Sequence, residues 1–204
     1  MSEQIMVVDS AWLNHLIGAN TKKLLRVEED EFIKSVEANS FFMDRSMAET
    51  NTDYKQIVSY CLISFDNDYY LTQRTPNQTE KRLHNRFSLG IGGHISINDA
   101  GSGDTILCGL NRELLEEVEF DCRYSRSFLG VINDNSSEVN SVHAGICYLI
   151  KLEERMCSIR EKEKMRGFWI NHTELADYAE VMEGWSKILV NTICEVLHGQ
   201  NRRE

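Results

Sequence analysis

Residues 87–120, FSLGIGGHISINDAGSGDTILCGLNRELLEEVEF, decide the fold of this chain. The opening FSLGIGGHI alternates apolar and small residues, which predicts a strand that another backbone or a ligand approaches closely. The second half predicts a helix from about Thr105 to Glu119. Four apolar residues recur there at helical spacing and predict one buried stripe: Leu107, Leu110, Leu114 and Val118.

The opposite face of this predicted helix is acidic. Glu113, Glu116 and Glu117 stand at i, i+3 and i+4, and Gly109 lies one turn earlier on the same face. Like charges at this spacing cost about 0.2–0.5 kcal/mol per pair, and the helix C-terminus already carries negative charge. A hard divalent cation with oxygen ligands would relieve both penalties. For an isolated cluster of this kind, a solvated acidic surface is the alternative interpretation.

The residues around this cluster resemble the Nudix box, G-x5-E-x7-R-E-U-x-E-E-x-G-U, in which U is aliphatic. Residues 112–117, RELLEE, match R-E-U-x-E-E in order, and Gly92-Gly93 supply the leading glycines. Asp104 is taken as the counterpart of the earlier Glu. The resemblance covers roughly residues 55–200 and implies the fold and activity of that family.

Three departures from the box are visible. Ten residues separate Gly93 from Asp104 where the box has five, so the loop before the helix is longer. Asp104 has a shorter reach than the Glu it replaces. Glu119 stands where the box has a late Gly, which predicts a different exit from the helix. None of these departures removes a carboxylate from the acidic face.

The resemblance implies a site for Mg²⁺ or Mn²⁺ that holds a diphosphate. Glu116 and Glu117 are the expected principal metal ligands, with the carbonyl of Gly92 as an extra ligand. Glu113 is expected to be a ligand or the base that activates water, and Arg112 to hold one of these carboxylates by a charge-assisted pair. Substitution at phosphorus requires these functions, since charge must be neutralised and water made nucleophilic.

A basic segment precedes the glycine strand. Arg74, Lys81, Arg82 and Arg86 are expected to bind substrate phosphates or the base, because the chain as a whole is acidic. A solvated loop is the alternative interpretation.

Acidic and histidine residues outside the box give further candidates. Glu138 and Glu183 are both candidates for an additional acid, and the sequence does not separate them. His94 and His143 are expected to be structural, although His94 follows the double glycine and His143 shares a strand face with Ser141 and Gly145.

The remaining patterns predict an α/β fold in which a mixed sheet is sandwiched between helices. Residues 1–50 are expected to form an N-terminal arm and residues 51–204 the Nudix domain. In the arm, QIMVVD and SFFMD predict extended segments around a short helix, DEFIKSVEAN. In the body, DND predicts a hairpin turn between two strands, and EGWSKILVNTICEVLHG predicts a C-terminal amphipathic helix.

The net charge and the cysteines indicate which partners the protein binds and in which cellular compartment it works. A net charge of −10 argues against a general nucleic-acid binder. The six scattered cysteines indicate buried thiols in a reducing compartment, and neither a signal peptide nor a membrane span is apparent. We therefore expect a cytoplasmic protein with a small nucleotide-like partner, no nucleic-acid or membrane partner, and a homodimer as a further expectation.

The function predicted from the sequence is metal-dependent hydrolysis of a diphosphate linkage in a nucleoside diphosphate joined to another moiety. One alternative is an isomerase of the isopentenyl diphosphate type, which would require a well-placed Cys and Glu and a metal-binding His set. Another is a non-catalytic nucleotide-binding regulatory module, which would be expected to have lost box carboxylates.

Overall fold

A computed structural model describes residues 2–19, 21–75, 86–101 and 103–200 of the 204-residue chain, with side chains described up to residue 194. The strands are β1 (Gln4–Asp9), β2 (Leu24–Leu25), β3 (Ser40–Asp44), β4 (Tyr54–Phe65), β5 (Asp68–Arg74), β6 (Phe87–Ser88), β7 (Gly90–Ile91), β8 (Val118–Glu119), β9 (Tyr124–Ile132), β10 (His143–Leu152), β11 (Ser158–Ile159) and β12 (Met165–Asn171). The helices are α1 (Ser10–Ile17), α2 (Glu29–Asn39), α3 (Arg45–Ala48), α4 (Thr105–Glu117), α5 (Glu138–Ser141), α6 (Leu175–Tyr178) and α7 (Gly184–Gln200). Short 3₁₀ turns cover Ile97–Asp99, His172–Glu174 and Ala179–Val181.

The predicted fold class is confirmed, because the chain forms a mixed sheet together with helices. The predicted segments of the N-terminal region appear as β1, α2 and β3. Helix α1 was not predicted, although Asp9 carries the signal: its side chain accepts a hydrogen bond from the Trp12 amide at 2.8 Å and caps the helix. Within the described ranges, no helix has the length and apolar character needed to cross a membrane.

One compact unit comprises Met1–Cys61, Gly92–Leu114 and Phe128–Tyr148. Its strands run in the order β3-β1-β4-β10-β9-β2, and β1 pairs antiparallel with both β3 and the start of β4. Three side chains pack as a small core at its N-terminal end: Ile5, Val7 and Ala48. The predicted boundary near residue 50 between arm and domain stays a prediction.

The second compact unit comprises Leu62–Ile91, Leu115–Ser127 and Leu149–Glu204. Strand β5 pairs antiparallel with β12 along its length, and β6 joins it at Thr72. The predicted hairpin turn is present: Phe65 pairs with Asp68, and Asp66 takes φ +47°, a conformation that Asp tolerates in turns.

Helix α4 differs in two ways from its prediction. It ends at Glu117 instead of Glu119, because Val118 and Glu119 form β8 and pair with β11. The buried stripe consists of Ile106, Leu110 and Leu114, whereas Leu107 is half-buried. The helix therefore presents the predicted apolar face with a small rotation.

We expect Leu110→Ala to lower the free energy of unfolding by about 2–5 kcal/mol, because Leu110 is 1% exposed and its loss leaves a cavity. Leu115→Ala is the matched control, since Leu115 lies on the same helix and is 56% exposed. Urea denaturation measures both changes. Equal losses in the two variants would contradict this assignment of the buried face.

Candidate functional site

Arg112 on α4 is the centre of a charged network beside Gly92-Gly93, the two glycines that follow β7. Its Nε and Nη2 donate to the two carboxylate oxygens of Asp99 at 2.8 and 2.9 Å, a bidentate pair. Its Nη1 donates to Oε1 of Glu113 at 2.7 Å, which is the pair with a neighbouring carboxylate that the resemblance implied. Its Nη2 also donates to the His94 carbonyl at 2.9 Å. Arg112 thus fixes the position of Glu113 relative to the loop that follows Gly93.

Asp99 is held ready for this pair by the turn that it closes. Its carboxylate accepts the Ser96 amide at 2.7 Å, as part of a capping box on the 3₁₀ turn. Burial raises the pKa of the Asp99 carboxyl, but the hydrogen bonds from Arg112 and from the Ser96 amide outweigh it, so the pKa is lowered. Asp99 is therefore a buried carboxylate that stays ionised.

The assignment of Asp104 as the counterpart of the box Glu is wrong. Its Oδ1 accepts the Leu107 amide at 2.9 Å, so Asp104 caps the start of α4 and Asp99 takes the partner position on Arg112. Five residues separate Gly93 from Asp99, as in the box, whereas twelve (100 to 111) separate Asp99 from Arg112 where the box has seven. The additional residues therefore lie between Asp99 and Arg112. The G-x5 spacing from Gly93 was the signal that would have identified Asp99.

Two glycines permit the close packing around this network. A side chain at Gly93 would overlap the Glu113 carboxylate, so only glycine leaves room for that group against the backbone. A Cβ at Gly109 would stand 2.6 Å from Cδ1 of Ile95 and 2.9 Å from Oδ2 of Asp99. Gly109 is buried and admits Asp99. The space that Gly109 leaves one turn before Glu113 is thus filled by Asp99 and Ile95.

Gly92 directly follows β7 and lies against the backbone of β4. Its φ of +156° and the proximity of the Ser59 carbonyl exclude any larger residue. The Ser59 amide donates to the Gly93 carbonyl at 3.0 Å, and His94 bridges Val58 in antiparallel fashion. The double glycine is thus a close approach between two backbones. The role of the Gly92 carbonyl as a metal ligand stays a prediction.

The three box carboxylates occupy the C-terminal end of α4. Glu113 and Glu117 are half-buried and Glu116 is exposed. The amide of Arg160 donates to the Glu117 carbonyl at 2.9 Å, and its Nε donates to the Val118 carbonyl at 3.1 Å. Arg160 therefore supplies positive charge to the helix end at which the dipole is negative.

The described residues of the basic segment, Arg74 and Arg86, have different surroundings. Arg74 donates from Nε to Oε1 of Glu183 at 2.6 Å, so an expected substrate-binding residue and an expected additional acid are paired with each other. Arg86 is exposed, and its Nη1 donates to the Glu180 carbonyl at 3.3 Å. Lys81 and Arg82 lie outside the described residues.

Glu138 and the two histidines complete the predicted residues. Glu138 is exposed and begins α5. His94 and His143 lie together, with 3.1 Å between their Nε2 atoms, in a group that also contains Glu49. Sequence reasoning missed this group because its members are far apart along the chain. All six cysteines are free thiols, as expected, but only Cys61 and Cys147 are buried and the other four are half-buried.

Known proteins resemble this chain in sequence and in structure. No protein-family model matches the chain. It is 32% identical over 170 residues to Protein YmaB of Bacillus subtilis (strain 168), which covers 80% of this chain and 82% of that protein. It also resembles the crystal structure of Tm1382, assigned as a Nudix hydrolase, with a TM-score of 0.82 and 32% identity over 95% of this chain and 100% of that one.

A more distant structure shares the fold alone. The NUDIX domain of Shewanella oneidensis NrtR, solved in complex with ADP ribose, matches with a TM-score of 0.53 and 16% identity. The match covers 70% of this chain and 88% of that domain.

Proposed function

Because this chain belongs to the Nudix hydrolases, enzymes that act on pyrophosphate bonds, we propose that it cleaves a diphosphate linkage in a nucleoside diphosphate joined to another moiety, with the help of a divalent metal ion. The observation that carries the proposal is the Asp99–Arg112–Glu113 network. It orients a carboxylate at the double glycine, one turn before two further carboxylates on the same helix.

The donor set of α4 is suited to Mg²⁺ or Mn²⁺. Glu116 and Glu117, with Glu113 one turn earlier, offer only carboxylate oxygens, which hard divalent cations prefer. Arg112 pairs with Glu113 of this set and with Asp99, and Arg160 donates to the Val118 carbonyl just beyond the helix. A bound ion of this kind neutralises charge on phosphoryl oxygens and makes a water molecule more acidic.

The protein groups then have separate roles. Glu113 accepts a hydrogen bond from Arg112 at Oε1, which orients its carboxylate for a role as a metal ligand or as the acceptor of a proton from water. Asp99 keeps Arg112 in place from the opposite side and so acts as a positioning residue. Lys81, Arg82 and Arg86 are proposed to offset the negative charge that a diphosphate ester carries beyond the metal ions.

We expect Arg86→Ala to raise KM severalfold with little change in kcat, because a contact made equally in ground and transition states affects binding alone. Arg166→Ala is a matched control, since Arg166 is also exposed and lies in the same compact unit. Steady-state kinetics on an active substrate measure both parameters. If KM stays unchanged in Arg86→Ala, the segment is solvated surface and has no part in binding.

The proposed function is tested with a substrate panel. Dinucleotides, nucleotide sugars, ADP-ribose and nucleoside triphosphates are incubated with the protein and Mg²⁺ or Mn²⁺, and release of phosphate or nucleotide is scored. ADP-ribose belongs in the panel because the NrtR domain was solved with it. Metal-dependent release from at least one diphosphate-linked substrate is expected. Release from none of them would overturn the proposal.

The isomerase alternative is the second candidate, because the structure brings His94 and His143 together with Glu49. The cluster contains no cysteine, which that chemistry would require nearby. Isopentenyl diphosphate belongs in the panel for this reason, and conversion to an allylic diphosphate without release of phosphate would favour the isomerase. Binding of a nucleotide without turnover would favour the regulatory module.

We propose the cytoplasm as the site of action, since the six free thiols suit a reducing compartment. The homodimer and the absence of nucleic-acid and membrane partners stay predictions.

A further inference from the structure

Three side chains from distant segments converge in the first compact unit. Glu49 follows α3, His94 follows the double glycine, and His143 begins β10. One donor atom of each lies within 4.8 Å of the other two. We propose that this His₂Glu cluster binds one divalent first-row transition-metal ion such as Zn²⁺, separately from the carboxylates of α4.

The tautomer of His143 favours this role. Its Nδ1 lies 2.6 Å from the Val139 carbonyl, and a carbonyl only accepts hydrogen bonds, so Nδ1 carries the proton. The lone pair on Nε2 is therefore directed into the cluster. Metal-bound histidines are commonly fixed in this way by a carbonyl on their other nitrogen.

The separation of the two imidazoles also fits a shared ion. Their Nε2 atoms are 3.1 Å apart. Two nitrogens bound at about 2.0–2.1 Å to one tetrahedral zinc ion lie about 3.3 Å apart, so a movement of a few tenths of an ångström suffices. Glu49 supplies the third ligand, and its side chain is 40% exposed, which gives an ion access from solvent.

Both imidazoles are neutral at physiological pH, because burial lowers the pKa of His94 to about 3 and also lowers the pKa of His143. In the metal-free cluster the Nε2 of His94 therefore donates to the Nε2 of His143 at 3.1 Å. Binding of an ion requires His94 to carry its proton on Nδ1 instead, a change of tautomer that leaves the imidazole neutral and able to ligate.

Three basic groups near the cluster interact with carboxylates. Arg45 contacts Glu3 at 2.8 Å and Glu49 at 3.3 Å, so two carboxylates oppose its charge. Arg112 is likewise shared by Asp99 and Glu113. The third basic group, Lys55, interacts with Asp134. Each of the three basic groups is thus opposed by at least one carboxylate.

The ligand type separates this site from the helix α4 carboxylates. Imidazole ligands suit zinc and its neighbours among the transition metals, whereas an all-oxygen set suits Mg²⁺. The His94 carbonyl also accepts a hydrogen bond from Arg112. An ion on the His94 ring would therefore stiffen the segment that carries the Arg112 contacts.

The test is calorimetric titration of the metal-free full chain with Zn²⁺ in the presence of millimolar Mg²⁺, with Co²⁺ absorption as a spectroscopic check of nitrogen ligation. One Zn²⁺ per chain is expected. His143→Gln should weaken Zn²⁺ binding by at least about a hundredfold, because removal even of an outer partner costs about 10–100-fold. His15→Gln, at an exposed histidine of α1, is the matched control and should leave binding unchanged.

Glu49→Gln is a second variant at an exposed residue, so it tests the site without a change in the buried interior. It should weaken Zn²⁺ binding as well. Absence of Zn²⁺ binding in the natural chain would overturn the proposal. So would binding that persists in both His143→Gln and Glu49→Gln, or binding that is lost in Glu116→Gln/Glu117→Gln. The titration measures no activity, so its failure does not bear on the proposed hydrolase function, which the substrate panel tests separately.

Discussion

Replacement of Glu117 by Gln is expected to lower turnover at least about a hundredfold while the protein stays folded. Stabilisation of charge by a bound metal ion contributes several kcal/mol at the transition state, and each ~1.4 kcal/mol changes the rate tenfold. The substitution removes one proposed ligand charge and leaves the side-chain shape almost unchanged. Steady-state kinetics across a Mn²⁺ titration, on the substrate that the panel identifies, measure the loss.

Glu119→Gln is the matched control for this prediction. Glu119 is exposed, lies two residues further along in β8, and loses the same charge. The metal-free melting temperature should not fall in Glu117→Gln, because removal of one carboxylate relieves repulsion on the last turn of α4. Equal activity in the two variants, or unfolding of Glu117→Gln, would contradict the assignment of Glu117 to the metal.

The second large effect is expected at Asp99. We expect Asp99→Ala to lower the free energy of unfolding by about 3 kcal/mol, the lower end for a broken buried pair, because Arg112 is 30% exposed and retains Glu113. Asp104→Ala should cost only about 1 kcal/mol, the usual loss of a helix cap. Urea denaturation of the two variants measures the difference.

Asp99→Ala and Asp104→Ala should also differ in activity. Without Asp99, Arg112 loses its bidentate partner, and Glu113 is no longer held against the double glycine, so kcat should fall well beyond the change in stability. Asp104→Ala should keep nearly full activity at a temperature where it is folded. A larger effect of Asp104→Ala in either measurement would restore Asp104 as the functional counterpart of the box acid.

The sequence by itself determined the features that depend on local order. Short apolar runs bounded by polar residues located β1 and β3 with their observed bounds. Helical spacing separated Leu110 and Leu114 from the carboxylates of α4, because residues three or four apart share one side of a helix. The order of charged and aliphatic residues in 112–117 identified the family, since that motif is read without knowledge of any distant contact.

Only the tertiary structure decided which residues meet across the fold. Asp99 and Arg112 pair over thirteen positions, and although the G-x5 spacing fits Asp99, the contact itself identifies Asp99, not Asp104, as the partner of Arg112. His94 meets His143 over 49 positions, in a cluster to which the α3 end contributes Glu49. Such contacts depend on where strands pair and how closely glycines let backbones approach. A periodic pattern in the sequence indicates which face of one helix or strand is buried, but it does not give the distance between two elements.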